Sequence, residues 1–182
     1  MAEKAPWITY RPELKVLDCT IRDGGLINDH QFADGLVRAV YDTCVAAGLD
    51  YMEIGYKNSA RLFPKDKFGA WRHCDEQDLR RLVGDHDPQR TGLKLSAMAD
   101  AGKSDWSQMI EPSDQSVLDV IRVACYVNQI PEAVDMIHHS HEQGYETTCN
   151  LMAISTVQDV ELDQALEVLV QTPATTIVVV DS

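Results

Sequence analysis

Arg22 and Asp23 stand side by side in the stretch Leu17 to Asp29, LDCTIRDGGLIND, whose other residues read as the end of a buried β-strand. Read as a strand, side chains alternate, so Asp18, Thr20 and Arg22 share one face and Asp23 falls where the strand ends. The glycines Gly24 and Gly25 let the backbone turn sharply there. Burying unpaired charge is costly, so the pair is expected in the polar mouth of a sheet, where a metal ion or an anionic ligand compensates it. A structural ion pair, or a helix cap involving Asn28 or Asp29, accounts for the same residues equally well.

Short runs rich in Val, Ile and Thr alternate along the chain with segments of helical period, the pattern of βα units on a parallel sheet. The strand candidates are KVLDCTI, DYMEIGY, LKLSAMA, DVIRVACYV, ETTCNLMAI and TTIVVVD, most of them apolar on both faces. Between them, Phe32, Leu36, Val40 and Cys44 predict one helical stripe, Ala133, Val134 and Ile137 a second after Pro131, and Leu162, Ala165, Leu166 and Leu169 a third. Gly48 and Gly144 are expected to stop the first two helices. The fold class is therefore α/β of the (β/α)8 TIM-barrel type. A closed barrel takes ~250 residues, so residues 1–182 are expected to form a single partial barrel of about six units, truncated at the C-terminal side.

At 182 residues and 45% hydrophobic the chain can bury a core. A net charge of −13, with no run among the 16 Lys and Arg, argues against nucleic acid as a partner. The five cysteines are scattered and never form CxxC, which predicts reduced, mostly buried thiols. The N-terminal residues carry no apolar leader and no run reaches ~18 apolar residues, so a cytoplasmic protein without membrane contact is expected. Two long connections, Lys57 to Asp75 and Ala101 to Ser116, leave the carboxyl ends of strands, the working face of barrel enzymes. The first carries Arg61, Phe63, Lys65, Lys67, Trp71 and Arg72, which suits either a substrate lid or an oligomer contact. His138, His139 and His141 are read as an exposed helix end rather than a metal site.

The stretch DCTIRDGG resembles the D-x-T-L-R-D-G signature of the DRE-TIM metallolyases, the HMG-CoA-lyase-like group that includes 4-hydroxy-2-oxovalerate aldolases and the isopropylmalate and homocitrate synthases. GLDYMEIGY is similar to that family's second strand with its glutamate, and VVVDS to its sixth, which ends in an aspartate. The resemblance implies a divalent metal, Mn or Mg before Zn, held by Asp23. It implies catalytic roles for Arg22, Glu53 and Asp181, with Arg22 and Asn150 binding substrate. The implied reaction is aldolase-type cleavage of a carbon–carbon bond in a 2-oxo acid through an enolate, which a metal and a guanidinium both stabilise. A Claisen-type acyltransferase using an acyl-CoA is the alternative, and a non-catalytic partial barrel serving assembly is a third reading. A homo-oligomer is expected. Two family features are absent from this sequence: a His-x-His metal pair on a seventh strand, and the aldolase branch's histidine three residues after Asp23, where Leu26 stands. A Schiff-base mechanism is disfavoured, since Lys57 is the sole strand-end lysine.

Overall fold

The computed structural model describes residue 11 and residues 13–181. Six strands, β1 Leu17–Asp18, β2 Tyr51–Tyr56, β3 Lys94–Asp100, β4 Val120–Cys125, β5 Glu146–Leu151 and β6 Thr176–Val179, form one parallel sheet in chain order. The helices are α1 Thr20–Gly24, α2 Asp34–Ala47, α3 Glu76–Val83, α4 Pro88–Thr91, α5 Trp106–Met109, α6 Ile130–Glu142 and α7 Asp159–Leu169. Each strand pairs with the next and helices lie in the crossovers, so the sheet curls into a half-barrel, as the alternating pattern predicts.

The strands are not apolar on both faces. Leu95, Ala97 and Ala99, Ile121, Val123 and Cys125, and Cys149 and Leu151 point outward into one core shared with the helices. Their alternates, among them Ser96, Asp100, Arg122, Thr148 and Asn150, are polar and line the concave side. A barrel mouth that handles charged ligands needs that polarity, and the covering helices need only the outer stripe. The stripe expected in α2 holds at Cys44, with Phe32 and Val40 packed against the core, but its buried centre is shifted to Val37 and Tyr41, and Leu36 lies out at 52% exposure. Gly48, at φ 68°, closes α2, and Gly144, at φ 94°, follows the end of α6, whose first turn holds Pro131. Four of the five cysteines are buried and all are free thiols. His86 is also buried, bridging Tyr41 Oη (2.9 Å) and Asp119 Oδ2 (3.2 Å), and so ties α2 to the start of β4.

Two local features decide where the charged side chains point. The first strand stops after Asp18, because its carboxylate accepts hydrogen bonds from Thr20 N (3.1 Å) and Thr20 Oγ1 (2.7 Å) and turns the chain into α1. Arg22 and Asp23 therefore sit on a helical turn, not on a strand, and the alternation expected for Asp18, Thr20 and Arg22 does not apply. Neither Asn28 nor Asp29 caps the next helix, whose N-cap is Ala33. In β2, the pairing with β3 slips by one residue between Glu53 and Gly55, so Glu53 and Tyr56 both face the concave side. Gly55 faces outward without room for a side chain: a Cβ there would collide with the Trp71 carbonyl oxygen and stand 2.7 Å from Cys74 Sγ. Gly55→Ala is accordingly expected to lower the unfolding free energy by about 1–3 kcal/mol, measured as a shift of the urea midpoint at unchanged slope.

Candidate active site

Glu53 is wholly buried at the centre of a charge network. Its Oε2 accepts from Arg22 Nε (2.6 Å), from Arg122 Nη1 (2.8 Å) and from Cys19 Sγ (3.5 Å). Arg22 also pairs with Asp23 through Nη1, and Arg122 Nη2 donates to Asn150 Oδ1 at 3.0 Å. One carboxylate thus orients two guanidiniums contributed by α1 and β4. Burial works against the charge on Arg22, but Glu53 outweighs it and raises the pKa of the guanidinium further. The guanidinium has five N–H donors, of which these two contacts use one each, and Tyr56, beside it, takes a share of the rest.

The network forms one wall of a cavity of about 590 Å³ at the carboxyl ends of β2 to β6. Four basic side chains, Arg22, Arg72, Lys103 and Arg122, line it against two acidic ones, Asp23 and Asp100. In a protein of net charge −13 this is a local positive field, suited to a small anion. The ion-pair reading of Arg22 and Asp23 is therefore realised, and the pair still faces the cavity.

Of the residues singled out from the sequence, Arg22, Asp23 and Asn150 come together on this cavity. Glu53 lies behind Arg22 and acts through it. Asp181 stands apart, exposed, with Oδ1 accepting from Ser155 N (3.0 Å); the Ser155 side chain, then this backbone bond, hold its carboxyl below the ordinary value. Lys57 follows Tyr56 and is not on the cavity wall, whose single lysine is Lys103, 3.8 Å from Asp100. Sequence reasoning missed Arg122, although a lone charge inside the apolar run VIRVAC is the same kind of signal as Arg22. Tyr56 and Asp100, strand-terminal residues on the wall, were missed as well.

The metal implied by the family resemblance was tested against these residues. Among the described residues no three His, Cys, Asp or Glu side chains converge to hold an ion. Asp23 supplies one carboxylate, already paired with Arg22, and Asp100 is engaged by Asn58 Nδ2 (3.3 Å) and Lys103. The described residues do not by themselves fit a divalent centre.

The loop after β2 is a fixed wall of the site. Trp71, Arg72, His73 and Cys74 are buried, and Gly69 N donates to Asp29 O at 2.8 Å. Beneath it lies His30, 1% exposed, its ring edge-on to Tyr56 with centroids 5.3 Å apart. Asp29 and His30 both take left-handed backbone angles, φ 55° and 60°, uncommon for residues with side chains. Neither ring nitrogen of His30 has a well-formed hydrogen bond. Burial, then the nearby Arg72 charge, pull its pKa from 6.5 down to about 4, which the Arg22 carbonyl offsets only in part.

No protein-family model matches the chain, and no curated protein matches it. Among solved structures, the N-terminal domain of a putative aldolase from Bacteroides vulgatus aligns at a TM-score of 0.60 and 21% identity, covering 92% of this chain and 62% of that one. This likeness shows the fold: an α/β half-barrel of six parallel strands. The chain spans less of that structure than two thirds. A dipeptide epimerase from Methylococcus capsulatus, complexed with Mg ion, aligns at a TM-score of 0.31 and 12% identity over 83% of this chain and 53% of that one, too slight to argue from. Among the described residues, no helix is long and apolar enough to cross a membrane.

Proposed function

We propose that this half-barrel carries the enolate-stabilising side of a carbon–carbon lyase site of the aldolase type, acting on a 2-oxo acid. The observation that supports it is Arg22, locked by Glu53 and Asp23, on the wall of a positively charged cavity at the strands' carboxyl ends. When the bond next to a ketone breaks, its electron pair moves onto the carbonyl oxygen, and a guanidinium already in place stabilises that charge without reorganising. Asn150 holds Arg122 at the same wall, which keeps a second cation near the developing oxyanion. Likeness to a protein named an aldolase adds to the reading.

Exchange of the C3 hydrogens of a 2-oxo acid with D2O, followed by proton NMR with Mg2+ present, tests enolate formation directly. Wild-type protein is expected to accelerate exchange over buffer, and Arg22→Met to slow it by about 100-fold, the effect of losing one oxyanion donor. Equal exchange in the two proteins would overturn the reading.

A further inference from the structure

We propose that Arg72 anchors a second anionic group of the ligand, so that the cavity takes a 2-oxo acid bearing a carboxylate or phosphate tail; the 2-oxo acid part rests on the function proposed above. Arg72 is only 7% exposed, lies on the cavity wall, and has no carboxylate within 4.0 Å among the described residues. Its Nε has no hydrogen-bond partner at all. The other cations of the wall are committed, Arg22 and Arg122 to Glu53 and Lys103 to Asp100.

What surrounds Arg72 is aromatic. Its guanidinium carbon lies 3.8 Å from the Phe63 ring centre, 4.6 Å from that of Tyr56 and 5.9 Å from that of Phe68. These rings pack against the guanidinium, and none of them supplies a carboxylate; the one oxygen among them is the Tyr56 hydroxyl. Cation–π contacts return only part of what withdrawing a charge from water costs. Asp29 and Asp100 act on Arg72 only at longer range. A purely structural arginine in this position would be a net cost; one that receives an anion is completed by it, and the guanidinium fork matches the paired oxygens of carboxylate or phosphate.

Geometry places this anchor relative to Arg22. Tyr56 has Arg22 5.9 Å and Arg72 4.6 Å from the centre of one ring. A ligand with its carbonyl at Arg22 therefore reaches Arg72 with its far end across Tyr56. This defines the substrate class as dianionic, with the second charge remote from the reacting carbonyl.

Affinities of 2-oxopentanoate, 2-oxoglutarate and 2-oxo-4-phosphonobutanoate, measured by calorimetry on the full chain, test this. An anionic tail is expected to tighten binding to wild type by about tenfold or more, the strength of one charge-assisted contact. Arg72→Met should cancel that advantage while leaving 2-oxopentanoate unaffected, and Arg72→Lys, which keeps the charge and much of the packing, should retain part of it. The better of the two charged ligands identifies the tail. An advantage that survives in a folded Arg72→Met protein, or is missing from wild type, overturns the proposal. If no 2-oxo acid binds but plain glutarate binds in an Arg72-dependent way, the enolate reading falls and the anion anchor stands.

Discussion

Glu53→Gln should cost about 3–5 kcal/mol of unfolding free energy, the usual penalty for removing one partner from a buried charge cluster. The carboxylate is wholly buried, and its Oε2 alone receives Arg22, Arg122 and Cys19. An amide of the same shape keeps an acceptor oxygen but turns its other end into a donor and carries no charge. Two desolvated guanidiniums, 15% and 9% exposed, would then lose the carboxylate they share, leaving Arg122 without one and Arg22 with Asp23 alone. Urea unfolding followed by circular dichroism measures the loss. Adding Arg122→Met to the variant removes one stranded charge and should recover part of the stability, a coupling between neighbours that share one partner. A single variant as stable as wild type would mean that solvent reaches Glu53 and that the network does not hold Arg22 in place. Because Glu53 orients Arg22, the deuterium exchange proposed for wild type should fall in the variant as well.

The network also shows which parts of the molecule a sequence can disclose. The βα order was legible because the outward residues of β3, β4 and β5 and the buried positions of α6 and α7 follow short periods that need only local counting. Arg22 and Asp23 were legible as charged groups in apolar surroundings, and Asn150 only through the family resemblance. Other features depend on contacts that no period records. Asp18 ends β1 through its own hydrogen bonds to Thr20, which puts Arg22 on a helical turn. The slip in β2 aims Tyr56 inward, and it depends on the Trp71 segment packing on Gly55 sixteen residues earlier in the chain. Arg72 reads in sequence as one basic residue in a basic and aromatic loop; its isolation from carboxylates emerges only once that loop folds against Tyr56. The shifted stripe of α2 has a simpler cause, since apolar residues occur on both sides of the true buried face.

His30 should make the protein acid-sensitive. Its pKa is about 4 in the fold against an ordinary 6.5, so between those values the unfolded chain binds a proton that the folded one refuses. Stability then rises with pH: the contribution is complete above pH 6.5 and is lost as pH falls towards 4. The full shift corresponds to about 3 kcal/mol, and about 2–3 allowing for the solvent near this wall. His30→Phe keeps a ring against Tyr56 and Gly25 but cannot titrate. Carboxylates bend both curves alike, so the difference between wild type and variant in urea unfolding across this window isolates the histidine. Parallel curves would show that His30 titrates normally. The neutral ring has a consequence for the cavity: Arg72 and Arg22 both disfavour a proton on it, and an anion seated at Arg72 would relieve the larger of those two repulsions. A saturating anionic 2-oxo acid should therefore raise the pKa of His30 in the fold and narrow the pH-dependent difference between wild type and His30→Phe.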